Sequence, residues 1–248
     1  MSNYDVFAQF YDSLTNNVDY TGRAEYLLSL LKRLGHDAGI TLDLACGTGS
    51  LTFELYKKGI DVYGIDSSPS MLSVAMEKAF DMDAEILFLC QKMENLDLYG
   101  TVQTVFCSLD SINHLKSFAN IQKAFNKVSL FLEKDCYFIF DFNTVYKHRE
   151  VLAQNCYVYE NDEVYCVWQN SYKKENHRVD ISLDFFEKED KSYYRTKERF
   201  FEITCEAEEL FPMLEQAGFY NIQIFDDMKF TEATEKTERI TVVAQKKG

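Results

Sequence analysis

Apolar residues in the first half of the chain follow two alternating rhythms. Leu27, Leu30, Leu31 and Leu34 stand three, four and seven positions apart, the spacing of one helix face, and Gly35 is a stop signal. Thr41–Ala45 alternates Leu42 and Leu44 around Asp43, as a short strand would. Ser50–Lys58 reads as a helix closed by Gly59, and Ile60–Ile65 as a second strand. Ser68-Pro69 is an N-cap followed by a first helical residue, leading to an apolar face of Met71, Leu72, Ala75 and Ala79. Further strands are expected at Glu85–Cys90 and Val102–Cys107. A helix capped by Ser117 follows, with Phe118, Ile121, Phe125, Val128 and Leu132 on one side, then a dense aromatic strand at Cys136–Phe142. Strand and helix alternating from 41 to 142 predict a mostly parallel sheet with helices on its faces.

Near residue 155 the rhythm changes. Residues 155–204 contain no glycine and are rich in Tyr, Phe, Val and charges. Val164–Trp168, Val179–Phe186 and Tyr193–Ile203 read as antiparallel strands, joined by polar turns such as Lys173-Lys174-Glu175-Asn176. A helix then returns over Glu206–Ala217. Glu206, Glu208 and Glu209 fall in its first turn, where they complement the helix dipole, and Gly218 ends it. Asn221–Phe225 and Arg239–Gln245 are the last strands. The expected fold class is α/β: a doubly wound, seven-stranded, mostly parallel sheet made by 1–154 and 205–248. Residues 155–204 form an inserted antiparallel β subdomain.

Composition narrows the chemistry. Forty acidic residues against 26 Lys and Arg give a net charge of −14, and no Lys/Arg run exceeds two residues. Nucleic acids and anionic membranes are bound by neutralising phosphates, so both are disfavoured as partners, and a small molecule is favoured. No apolar run reaches the ~18–20 residues of a membrane helix, and Met1–Asp5 has neither a basic region nor an apolar signal core, so a cytoplasmic location is expected. The seven cysteines include no CxxC pair and do not group with the four histidines. They read as reduced thiols, with no metal site expected.

The candidate chemistry centres on the turn Ala45-Cys46-Gly47-Thr48-Gly49 between the first strand and its helix. A phosphate-binding loop would end in Gly-Lys-Ser/Thr, and no lysine is present. A dinucleotide fingerprint G-x-G-x-x-G would need glycine where Thr52 stands. Asp66, ending the second strand, is placed to accept hydrogen bonds from both hydroxyls of a ribose, a device shared by NAD proteins and other nucleoside binders. Asp43 either fixes the turn by bonding backbone N–H groups or meets the ligand.

Asp43-Leu44-Ala45-Cys46-Gly47-Thr48-Gly49, followed by Gly64-Ile65-Asp66-Ser67-Ser68-Pro69-Ser70-Met71-Leu72, resembles the first two motifs of class I S-adenosylmethionine-dependent methyltransferases. Within them the chain is similar to the small-molecule subgroup with an inserted β segment. The resemblance implies a Rossmann-like core, S-adenosyl-L-methionine as cofactor, and methyl transfer to a nitrogen or oxygen of a small molecule. It implies that Asp43 and the Ala45–Gly49 backbone, Cys46 included, approach the methionyl end. Asp66 would hold the ribose, with Ser67 and Met71 flanking it and the adenine. Gln91-Lys92-Met93 stands where the family has an aspartate and a methionine. Lys92 has donors only, so the adenine amino group would fall to Gln91, a backbone group or water, with the Met93 N–H free for the ring. The segment Cys107–His114, with Leu109, would lie under the methionyl group. Phe7–Asp12, with Tyr20 further on, resembles a helical cap over the cofactor. His114 and Tyr11 are the candidate catalytic residues. Asp141-Phe142-Asn143 reaches the rim of the fifth strand and is a candidate to face substrate, and the insertion is a lid or the surface of a homodimer. Two other readings share these features: an NAD-linked oxidoreductase and a non-catalytic S-adenosylmethionine binder.

Overall fold

A computed structural model of the chain describes residues 5–160, 164–189 and 192–248. Its core is a seven-stranded sheet of β1 (Thr41–Leu44), β2 (Val62–Asp66), β3 (Phe88–Cys90), β4 (Val102–Cys107), β5 (Leu132–Asn143), β10 (Phe219–Asp226) and β11 (Arg239–Lys246). The strand order is β10-β11-β5-β4-β1-β2-β3. β1 pairs in parallel with β2 and β4, β4 with β5, and β2 with β3. Only β11 runs opposite to its neighbours in this sheet. Helices α1 (Asp5–Leu14), α2 (Tyr20–Arg33), α3 (Ser50–Lys57), α4 (Pro69–Asp81), α5 (Phe118–Phe131) and α6 (Ala207–Gln216) complete the described helical layers.

The caps read from sequence form as expected. The Ser68 side chain accepts from Met71 N with Pro69 at the first helical position, and Ser117 accepts from Asn120 N. Gly35, Gly59 and Gly218 take positive φ just past α2, α3 and α6. Glu206 and Glu209 form a reciprocal capping box at α6. β5 begins earlier than its aromatic run suggests, at Leu132, directly after α5, because Glu133, Lys134 and Asp135 are exposed and polar and interrupt the apolar signal. β3 is shorter than the expected Glu85–Cys90 and sits at the sheet edge.

Two apolar layers cover the sheet. One joins Leu42, Leu44, Phe138, Phe140 and Phe142 to Ile121, Phe125 and Val128 of α5. The other joins Phe106, Ile139 and Val243 to Leu27, Leu30 and Leu31 of α2. Facing alternation on neighbouring strands makes both layers continuous, as a doubly covered parallel sheet requires.

A second sheet has four antiparallel strands: β6 (Cys156–Glu160), β7 (Val164–Lys173), β8 (Arg178–Glu189) and β9 (Ser192–Ile203), in that order. β6 was not expected. Its five residues alternate exposed and half-buried with no turn signal ahead of them. The inner face carries its own core of Val164, Cys166, Val179, Ile181, Leu183 and Phe185. Phe10 and Leu14 of α1 pack against it.

Candidate functional site

Parallel strands end together, so the loops after β1, β2, β3, β4 and β5 gather along one rim. In an open α/β sheet this rim, where strand order reverses beside the first strand, holds the ligand crevice. The candidate residues sit on these loops, on the strand ends and helix starts that flank them, or on the α1–α2 segment.

The β1–α3 turn is built by left-handed backbone: Ala45 at φ 61°, Gly47 at 56° and Gly49 at 80°. A Cβ at Gly47 would meet nothing within 4 Å, so its backbone faces open space. One at Gly49 would lie 2.9 Å from Phe53 and 3.3 Å from Ala75 and Phe88. The first glycine therefore leaves room for a ligand and the second lets α3 and α4 close on the turn. Cys46 N–H donates to Ile65 O. Its thiol is buried against Gly64, and burial pushes its pKa up. Cys46 joins the turn through its backbone.

Asp66 Oδ2 accepts from Gly47 N at 2.9 Å and Oδ1 from Ser68 N at 2.8 Å. Each oxygen keeps a lone pair for a further donor. Burial raises the Asp66 pKa against these bonds and the His114 charge. Ser67 is exposed beside Asp66 and Met71 is buried behind it.

Asp43 turns inward, toward Thr52 of α3. Its carboxylate is 2% exposed and accepts from the Thr52 hydroxyl at 2.5 Å. Burial pushes its pKa up to about 7. Thr52 occupies the third glycine position of a dinucleotide fingerprint, and here its hydroxyl ties helix to strand. Gln91 is anchored at the rim: Nε2 donates to Asp97 O and Oε1 accepts from Asp97 N, both at 2.9 Å, which leaves one N–H and one lone pair for a ligand. Lys92 precedes a 3-10 turn over Met93–Asn95.

The β4 loop carries Leu109 and Asp110 in consecutive left-handed conformations, φ 57° and 51°. Asp141 holds them there. Its Oδ2 accepts from Leu109 N at 2.7 Å and Oδ1 from Asp110 N at 2.5 Å, while Arg23 bonds it from α2 at 3.0 Å. Asp141 and Asn143 are 2% and 1% exposed, so the expectation that they face substrate is replaced by a bracing role. Burial, acting against Arg239 and Arg23, raises the Asp141 pKa.

His114 projects from the same loop with 38% of its side chain exposed, and Nε2 lies 3.7 Å from Asp110 Oδ2. Its ring stands 5.3 Å from Phe200 of β9. Burial alone would lower its pKa, but the neighbouring Asp110 carboxylate and the Glu202 charge outweigh it, and the net direction is up. Burial also opposes the charge on Asp110, yet Arg239, His114 and Lys147 hold its carboxyl well below the usual range. Ligand atoms of Asp110, His114 and Glu202 lie within 4.8 Å of one another. Such a trio can surround a cation, but Asp110 already meets Arg239, and Glu202 accepts from Asn143 at 2.9 Å and lies 3.1 Å from His148 Nε2.

The cap is fixed from two sides. Asp12 Oδ1 accepts from Thr48 of the glycine turn at 2.6 Å and from Ser50 at 3.2 Å, and Oδ2 pairs with Lys78 of α4. On its other side Phe10 stacks on Phe185 of β8, ring centroids 6.4 Å apart. Tyr11 and Tyr20 hydrogen-bond through their side chains. Burial raises the Tyr11 pKa well above the phenol value, and Tyr20, Asp110 and Asp66 add to it. Tyr11 therefore stays protonated, a hydrogen-bond donor beside both the Asp66 and the Asp110 corners. The side chain of Phe7 lies outside the described residues.

Sequence reading missed Arg23, Lys147, His148, Glu202 and Arg239. One signal was available for Glu202. On β9 the outward positions Arg195, Lys197 and Arg199 are exposed, whereas Glu198 and Glu202 share the inward face with Phe200 and are 2% and 3% exposed. Acidic residues on the apolar side of an alternating strand break the pattern, and such breaks concentrate at functional sites.

Comparison with known proteins gives a consistent result. A family model described as "Methyltransferase domain" matches residues 41–135. A curated relative from Geobacillus sp. (strain WCH70), named as a putative methyltransferase, is 30% identical over 98% of this chain and 99% of its own length. The crystal structure of an S-adenosylmethionine-dependent methyltransferase from Clostridium acetobutylicum is 31% identical, covers 99% of both chains and superposes with a TM-score of 0.88. The sugar N-methyltransferase KedS8 from Streptoalloteichus sp. shares the fold, with a TM-score of 0.79 over 96% of this chain and 93% of its own at 18% identity.

Proposed function

This chain belongs to the class I S-adenosylmethionine-dependent methyltransferases, and on that premise we propose that it methylates a nitrogen or oxygen of a small molecule, bound between the β4 loop and the inserted sheet. The carrying observation is the exposed imidazole of His114, on the β4 loop next to the β1 glycine turn. With methyl transfer as the chemistry, the NAD-linked reading lapses.

The residues fit the nucleoside. Asp66 keeps lone pairs for ribose hydroxyls. The backbone at Gly47 has room for the methionyl chain. Leu109, Ser67 and Met71 flank the crevice, and Tyr11 and Tyr20 close it from the cap. Gln91, held by Asp97, keeps a lone pair on Oε1 for the adenine amino group, with backbone groups, Met93 N–H among them, for the ring. When bound, S-adenosylmethionine supplies a sulfonium methyl group that is intrinsically electrophilic.

The protein's own task is then alignment and exclusion of water. Holding two reactants in line is worth ~7–11 kcal/mol of barrier. Asp141 and the paired left-handed residues fix the loop that carries His114. The imidazole takes the proton from an acceptor that arrives protonated. The inserted sheet acts as a cover, because its core packs on α1 and Phe200 stands beside His114.

Calorimetry and a label assay test this reading. S-adenosylmethionine should bind at micromolar levels and NADH should not. Incubation with methyl-labelled cofactor and a metabolite extract should label a small molecule. Absence of cofactor binding at millimolar concentration defeats the proposal.

A further inference from the structure

The inserted sheet has a second face, turned away from α1 and from the crevice. Its inward residues form the apolar core that receives Phe10 and Leu14, with Phe200 beside His114. The alternate positions along each strand point the other way. There a groove of about 650 Å3 crosses the strands. Cys156, Gln169, Ser182 and Arg199 line it in a single row, each opposite the next across β6, β7, β8 and β9. Arg178 and Lys197 line it on rows to either side.

Charge on this face is not balanced within it. Arg178 matches Asp180: its Nε donates to Oδ1 at 2.6 Å, and its guanidinium lies 3.8 Å over the Phe201 ring. Asp184 takes two cations, Arg195 at 2.6 Å and Lys197 at 3.4 Å. Arg199 is exposed and pairs with no carboxylate among the described residues. Glu198 and Glu202 belong to the inward face, and Glu160 stands on β6 at the far edge of the sheet. The surplus here is therefore positive, in a chain whose net charge is −14.

The groups around the surplus can all donate: a guanidinium, an ammonium, the Gln169 amide and the Ser182 hydroxyl. That hydroxyl, on the groove floor, has no hydrogen-bond partner. Lys197 and Arg199 are two residues apart on β9, so their stems rise about 7 Å from each other. A second copy of the same face would bring like charges together, whereas an anion completes them. A carboxylate has two oxygens to share among Arg199, Lys197 and Ser182. A phosphate monoester has three, and the guanidinium fork matches two of them.

We propose that this groove is a second ligand site, which binds a small phosphate monoester between Arg199 and Lys197. It goes beyond methyl transfer and does not depend on the acceptor. It also lies back to back with the acceptor side of the crevice, with β9 between them. Arg199 and Phe201 face the groove, while Phe200 and Glu202, on the other side of the strand, meet His114 and His148.

Calorimetry with glycerol 2-phosphate on the intact protein tests this. Saturable binding with a submillimolar Kd is expected at about 0.1 M salt. R199Q and K197Q should each weaken it at least about tenfold, with cooperative unfolding unchanged. On the wild type, phenylglyoxal should modify Arg199 ahead of the carboxylate-paired Arg195. Glycerol 2-phosphate should protect Arg199 and leave the exposed Arg149 unprotected, as located by peptide mass. Absence of saturable binding, or of Arg199 protection, overturns the inference. Wild-type affinity in R199Q marks an adventitious ion only and overturns it too. Succinate binding as tightly as the phosphate ester removes the phosphate assignment. A wild-type dimer that R199E dissociates gives the face to a second copy instead, and the inference falls.

Discussion

At the scale of single residues, Asp66 and Asp43 show how alike two strand-end aspartates look in sequence and how differently they are used. Asp66 spends one lone pair of each oxygen on Gly47 and Ser68 and retains the others. Charge-assisted hydrogen bonds contribute ~1.5–3 kcal/mol each. D66N should therefore weaken S-adenosylmethionine binding roughly 10- to 100-fold by calorimetry, and unchanged affinity would remove the ribose role. Asp43 is closed away against Thr52 with a pKa near 7, above its value in the unfolded chain. The folded state then binds a proton that the unfolded state has lost. This contribution is complete below the unfolded carboxylate pKa and is lost as pH rises to about 7, with a slope of at most ~1.4 kcal/mol per pH unit. Denaturant titrations between pH 4.5 and 7 should show a shallower fall in D43N than in wild type. His114 is shifted the same way for a base of opposite charge type. Its free form, needed to accept a proton, is lost as pH falls through a pKa above the ordinary imidazole value. The acid limb of kcat/KM should lie above that value, and H114Q should abolish the limb and lower kcat about 100-fold or more.

Elements hold these residues by geometry that single positions do not have. The β1–α3 turn needs three left-handed residues in five, and its two glycines do different work. An alanine at a left-handed position costs ~1–2 kcal/mol. G47A should lose about that much stability, since its Cβ meets no neighbour, yet bind the cofactor far more weakly. G49A adds contact with Phe53, Ala75 and Phe88 and should be the less stable of the two. Equal melting temperatures for the pair would refute this division. The β4 loop depends likewise on Asp141, which holds two N–H groups and Arg23 at once. Removing one partner from a buried pair costs ~3–5 kcal/mol, and D141A should be destabilised on that order in urea.

For the whole molecule, the cap and the inserted sheet form one unit over the rim. Asp12 anchors α1 to the glycine turn while Phe10 and Leu14 enter the core of the second sheet. The seven-stranded core has its own apolar layers, so a variant with residues 157–199 replaced by a short flexible linker should still unfold cooperatively. Its methyl transfer should drop at least 100-fold, because α1 loses its second support and Phe200 leaves His114. Turnover equal to wild type would reject the covering role.

The sequence by itself determined the alternation of strand and helix, the caps at Ser68 and Ser117, the glycine turn and Asp66. All are written in residues adjacent in the chain, through local backbone preferences and the periodicity of burial. It also determined that 155–204 differs from the rest, because glycine vanishes and period-2 alternation begins. The tertiary structure alone decided which way Asp43 turns, that Gln91 is anchored by Asp97, and that Asp141 braces the β4 loop. It alone joined Asp110, His114 and Glu202, which lie on β4's loop and at the end of β9 and meet only when the inserted sheet folds back over the rim. Pairing in a buried cluster depends on distances between segments as much as 204 residues apart, as in the Arg23–Asp227 pair. No local pattern encodes such distances.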